Sequence, residues 1–155
     1  MTRRLVRTSA AGAAVLVAVA VAGCTPDTTR GRVEQDFAAT FSNQYAQSLQ
    51  RQGKPIVRPR VSSTVCHNGS NLKTDSGPGS WACEIKYTVP GRKPQDEGWL
   101  MLVDALGCYQ AFTQDDAVRY HQIKDVYSHK SILDPRGSFD GCYNVYRGPT
   151  NTSKK

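Results

Sequence analysis

Five large apolar residues, Val33, Phe37, Phe41, Tyr45 and Leu49, recur at every fourth position, with Ala38 and Ala46 beside them. At 100° per residue such a run forms one slowly drifting apolar stripe on a helix. Glu34 and Asp36 sit in its first turns and Arg51 in its last, as the helix dipole prefers. Gly53 and Pro55 then supply a stop signal. The spacing predicts a helix from Val33 to Gln52. The period then falls to two. Val61, Ser63 and Val65 alternate with Ser62 and Thr64 and predict a strand ending at Cys66. Gly69, Gly77, Pro78 and Gly79 mark His67 to Ser80 as a long mobile loop. Trp81, Cys83, Ile85, Tyr87 and Val89 face one way, with Glu84, Lys86 and Thr88 opposite, which is the clearest strand of the chain. Pro90 to Pro94 turns the chain. Trp99, Met101 and Val103 form the next strand, with Leu100 and Leu102 making it apolar on both faces. Asp104 to Gly107 turns again, into a strand from Cys108 to Phe112. Tyr120 to Tyr127 suits either a short strand or a helical turn, Asp134-Pro135-Arg136-Gly137 suits a β-turn, and Phe139 to Tyr146 ends the fold.

One long amphipathic helix followed by four or five antiparallel strands predicts an α+β domain, with the helix laid across one sheet face. A cystatin-like roll is the architecture this arrangement resembles, and such a likeness carries no function by itself. The expected boundaries are a single domain over 33–147 and a polar, fraying tail over 148–155.

The N-terminus reads as an address. Met1 to Arg7 holds three arginines and no acid, and Ala10 to Ala22 is a run of small apolar residues with a single Gly12. A charged stretch followed by about thirteen apolar residues is too short to span a bilayer and matches a secretory signal. The run ends in Val21-Ala22-Gly23-Cys24, which resembles the bacterial lipobox. That resemblance implies diacylglyceryl transfer to the Cys24 thiol, cleavage before it, a signal peptide over 1–23 and a location on the outer side of the cell membrane. One acyl chain binds a membrane marginally, whereas two or three hold a protein there. Two alternatives stay open: an ordinary signal cut after Ala20-Val21-Ala22, and an uncleaved anchor. Thr2-Arg3-Arg4 resembles a twin-arginine signal, although Val6 and Arg7 occupy the positions where that signal carries its hydrophobic residues. Cys24 to Arg32 reads as a lipidated tether. Thr25 to Arg32 has no large apolar residue to hold it to a core, and it has an rms reach of roughly 15 Å.

Setting Cys24 aside leaves Cys66, Cys83, Cys108 and Cys142. An even count in an exported chain predicts two disulfides. Three connectivities are open in principle, and Cys66–Cys83 with Cys108–Cys142 is the expected pairing because each pair brackets a hairpin or return loop. A bridge closing such a loop stabilises by about 3 kcal/mol in the chain-entropy model. Zinc chemistry is disfavoured: the chain has no C-x-x-C, and only His67 stands beside a cysteine.

The formal charge of +7 falls to about +4 once Arg3, Arg4 and Arg7 are removed. That balance suits a mild attraction to anionic headgroups, and the scatter of basic residues argues against nucleic acid as a partner. The chain carries no G-x-S-x-G, H-E-x-x-H, P-loop or dinucleotide fingerprint, so neither an enzyme activity nor a cofactor is expected. His67 opens the loop, while His121 and His129 lie in the poorly patterned region, and solvated surface histidines are the expected reading. Asp115 and Asp116 suit a helix start better than a carboxylate pair or calcium ligands. Asn68-Gly69-Ser70 and Asn151-Thr152-Ser153 match the glycosylation sequon by accident. Tyr109, Tyr120, Tyr127, Tyr143 and Tyr146, five of the seven tyrosines, crowd the last third. They form either a recognition surface or, more plainly, a cover for the sheet edges.

The Phe-rich helix with Tyr45, Gly77-Pro78-Gly79-Ser80-Trp81-Ala82-Cys83, Gly107-Cys108-Tyr109 and Phe139-Asp140-Gly141-Cys142 resemble a family of small lipoproteins from high-GC Gram-positive bacteria. The resemblance implies an exported, anchored domain with paired cysteines and no known activity. The expected function is a membrane-tethered, non-enzymatic binding or accessory module that meets an envelope protein or a cell-wall ligand. The alternatives are a small envelope hydrolase assembled from His121, His129, Asp115 and Asp116, or an inhibitor of a secreted hydrolase.

Overall fold

The computed structural model describes residues 28–69 and 75–143. The expectations for Cys24, for Tyr146, for the signal segment and for the tail lie outside the described residues.

Helix α1 runs Arg30–Arg51, and the apolar stripe read from the sequence is the face it buries: Val33, Phe37, Phe41 and Tyr45 are all in the core. Strands β1 (Arg60–Asn68), β2 (Gly79–Thr88), β3 (Gln95–Val103) and β4 (Cys108–Thr113) follow. A one-turn helix α2 (Asp116–Arg119) and two three-residue strands, β5 (Gln122–Lys124) and β6 (Ser131–Leu133), precede the last strand, β7 (Ser138–Cys142). The main sheet has the order β1-β2-β3-β4-β7, antiparallel throughout, and β5-β6 forms a separate two-stranded sheet. The α+β class, the single helix on an antiparallel sheet and both disulfides are therefore as the sequence predicts.

The sheet's inner face and α1 enclose an aromatic core. Phe37 stacks on Phe139 with centroids 5.8 Å apart and meets the edge of Trp99 at 5.5 Å, while Phe41 packs on Tyr87 at 4.8 Å. Such ring pairs add about 1 kcal/mol each beyond the area they bury. The alternation of buried and exposed positions from Trp81 to Tyr87 in β2 and from Trp99 to Val103 in β3 leaves the opposite face open. Leu100 and Leu102 point outward on that face and reach solvent, so β3 has one buried side rather than two.

Both disulfides join residues directly opposite in register. Cys66–Cys83 ties β1 to β2, and Cys108–Cys142 ties β4 to β7. The return to β4 passes through α2 and the β5–β6 hairpin, so the second bridge closes a 34-residue separation.

Three boundaries differ from the sequence expectation. First, α1 begins at Arg30, and Thr28 to Arg32 belongs to the domain instead of the tether. Thr28 is buried with its hydroxyl 2.7 Å from that of Tyr143, its carbonyl accepts from Gly77 N, and Thr29 bridges to Ser76. Hydrogen bonds hold this stretch, so its lack of apolar residues was no guide. Second, β1 continues through His67 to Asn68, whose buried amide donates to the carbonyls of Ser76 and Gly77 and ties down the far end of the expected loop. Third, of the two readings of Tyr120 to Tyr127 the short strand is the one found, but it is confined to β5, and Tyr120 instead caps α2. The Asp134–Gly137 turn closes as expected, with Gly137 N donating to Asp134 O at 2.8 Å.

Candidate functional site

The tyrosine cluster divides in two. Tyr109 and Tyr143 are buried and stack on each other with centroids 6.4 Å apart, which removes both from any recognition surface. They face inward because β4 and the chain after β7 turn those positions toward α1. The Tyr109 hydroxyl donates to Asp36 at 3.1 Å and accepts from the Thr40 hydroxyl at 2.8 Å. Burial raises the Tyr109 pKa well above the ordinary phenol value. Gly107 and Gly141 make room for the pair, since a Cβ at either would lie within 2.6 Å of a tyrosine ring or hydroxyl. Tyr120 and Tyr127, in contrast, are 66% and 65% exposed. They flank β5 and the turn after it, and with the β5–β6 hairpin they make the candidate recognition surface.

The hairpin is short, so polar groups fasten it. Ile123 and Ile132, paired across the two strands, point inward, while Gln122, Lys124, Ser131 and Leu133 face solvent. At its turn, Asp125 is buried. Its carboxylate accepts from the backbone N–H and hydroxyl of Ser128 and lies 3.5 Å from Arg51 of α1. These contacts, led by the Ser128 hydroxyl, lower the Asp125 pKa. Val126 N donates to Arg51 O at 2.8 Å and so seats the turn on the C-terminal end of α1.

At the other end, Asp134 is buried as well. Arg136 donates to it from Nε at 3.0 Å, from Nη2 at 2.6 Å and from its backbone, and His121 Nδ1 lies 3.3 Å from Oδ2. Burial alone would raise the Asp134 pKa. The bonds from Arg136 and Ser48 outweigh it and hold the group at about 2. Arg136 also lies over the Tyr45 ring at 5.4 Å.

The two carboxylates within the segment from Ala117 to Asp134 are thus both internal. The charged groups of that segment that reach solvent are Arg119, Lys124 and Lys130, accompanied by His121 and His129. Arg119 lies between two rings, 5.1 Å from Phe112 and 5.6 Å from Tyr120, and so links the hairpin surface to the open face of the main sheet. Val126 and Leu133 add exposed apolar area. Exposed tyrosines mixed with arginine and short apolar groups are typical of protein recognition patches.

The four residues of the hydrolase alternative perform separate local tasks. Asp115 is the N-cap of α2 and accepts from Ala117 N, as a helix start requires, and Asp116 opens the first turn. His121 is committed to Asp134, and His129 sits in the hairpin turn with φ +59°. Among the described residues no hydrogen bond joins any of these four side chains to another. His67 is bonded to Asp75 at 3.1 Å, and Asp75 also receives Arg30 and the backbone of Asn68. Among the described residues no group of three or more His, Cys, Asp or Glu is gathered to hold a metal ion. No described helix is long and apolar enough to cross a membrane. Sequence reasoning missed the fastening of the hairpin, because a buried aspartate has no local signature. The one hint was that Asp125 and Asp134 each precede a turn-forming stretch. No family model matches the chain, and neither does any curated protein or solved structure.

Proposed function

We propose that this protein is a lipoprotein held on the outer face of the cell membrane through acylated Cys24, where its domain acts as a non-enzymatic binding module. The β5–β6 hairpin is its recognition surface, and the partner is an acidic component of the envelope. The anchor is supported by the Val21-Ala22-Gly23-Cys24 run behind a basic and then apolar leader. Paired cysteines agree with an oxidising compartment. A helix followed by an antiparallel meander that packs on it favours a cystatin-like roll as the architecture, which carries no activity of its own.

One observation carries the binding reading. The hairpin buries both its acids, each in contact with an arginine, while Lys124, Lys130, Tyr120 and Tyr127 reach solvent. Such a surface steers toward negative charge and offers rigid aromatic area on contact. The test uses the full chain in detergent and an insoluble cell-wall preparation, with its carboxylates either intact or amidated. The wild type is expected to be retained on the intact wall and released by amidation. The double variant Lys124→Glu/Lys130→Glu is expected to lose about tenfold in retention, while Asp115→Asn/Asp116→Asn keeps it. Equal retention of the two variants would defeat the binding reading. Intact mass of membrane-extracted protein separately reads the anchor, since it records leader removal and added acyl chains together.

A further inference from the structure

The two disulfides lie on opposite faces of one sheet. Cys66 and Cys83 are 0% and 4% exposed, beneath α1, where Glu34 of the helix accepts from Cys66 N and the Cys83 sulfur lies 3.4 Å from that of Met101. Cys108 is half-buried and Cys142 exposed, on the open face. Cys142 ends β7, the strand at the margin of the sheet, and both cysteines line a shallow groove of about 390 Å³ that also takes in Leu102, Asp104, Gln110 and Asp140. Both charges on that lining are negative. Thiol–disulfide exchange requires a thiolate to approach along the S–S axis, so access to one sulfur decides which bridge reacts. The surrounding charge decides which thiol arrives fastest.

We propose that Cys108–Cys142 is a thiol-exchange site, entered at Cys142 by uncharged or cationic thiols, and that Cys66–Cys83 is the inert structural bridge. A thiolate bonds to the Cys142 sulfur, the Cys142–Cys108 bond breaks, and the electron pair leaves on Cys108, which takes a proton from water. A second thiolate attacks the incoming sulfur of the mixed disulfide and releases Cys142 as thiolate, which is protonated in turn. Two thiols become one disulfide, and the protein gains two electrons and two protons. The site does not depend on the membrane anchor.

The experiment treats the full chain under native conditions with cysteamine or with 2-mercaptoethanesulfonate, blocks freed thiols with iodoacetamide, and locates the label by peptide mass spectrometry. Label on Cys108 and Cys142 is expected at least about tenfold ahead of Cys66 and Cys83, following access to the sulfur. Cysteamine should outpace the sulfonate, with a gap that narrows in high salt. Asp140→Asn should also narrow the gap, which separates the groove's charge from the intrinsic reactivity of the two thiols. Equal labelling of the two bridges, earlier labelling of Cys66 and Cys83, or no labelling without denaturant would overturn the site. A cysteamine advantage unchanged by both salt and Asp140→Asn would overturn its preference for charge.

Discussion

Asp134 shows how much one side chain can hold. Its folded pKa of about 2 lies below the ordinary 3.8, so its charge stabilises the fold above about pH 4, and that contribution drains away as the pH falls toward 2. The difference amounts to about 2 kcal/mol. Asp134→Asn is expected to be less stable at neutral pH and to show a flatter acid limb in urea midpoints taken from pH 6 to pH 2. An acid limb as steep as the wild type's would place the acid sensitivity elsewhere. Gly107 is a second sensitive point, through shape instead of charge. It has φ +79°, and an added Cβ would lie 2.5 Å from the Tyr143 ring. Gly107→Ala should cost about 2 kcal/mol and shift the urea midpoint down accordingly.

Among the elements, α1, β2 and β3 are legible because their periods persist over many residues. The four-residue recurrence from Val33 to Leu49 and the alternation from Trp81 to Val89 each repeat often enough to fix a face. The disulfide pairing was legible for a related reason, since each cysteine pair flanks a hairpin or return. The β5–β6 hairpin was not legible. Its strands have three residues each and one inward position apiece, Ile123 and Ile132, too few for any period. Its stability comes from Asp125 and Asp134, whose partners Arg51 and Ser48 lie on the distant helix. Thr28 was hidden for the same reason, because a hydroxyl bond to Tyr143 leaves no trace in hydropathy. This construction separates surface from support. Tyr120→Ser/Tyr127→Ser should leave the circular dichroism spectrum and urea midpoint within about 0.5 kcal/mol of wild type, as exposed substitutions do, while weakening wall retention. Asp125→Ala, in contrast, should unfasten the hairpin, and faster amide exchange over 122–133 would record it.

At the scale of the molecule, the aromatic core under α1 sets the stability and the open face remains available. Phe37 touches Phe41, Trp99 and Phe139 at once, so Phe37→Ala should cost about 4 kcal/mol in chemical denaturation. The bond between Thr28 and Tyr143 has a consequence for how the chain can be rebuilt. It brings the side chains of the first and last described residues, Thr28 and Tyr143, into contact, so the two ends of the described domain lie near each other. Each residue of linker spans at most about 3.5 Å, so five or six glycine and serine residues suffice to join those two positions. New termini cut into the Gly91–Arg92 turn would then give a permutant with the same sheet and both bridges, displayed from the opposite pole.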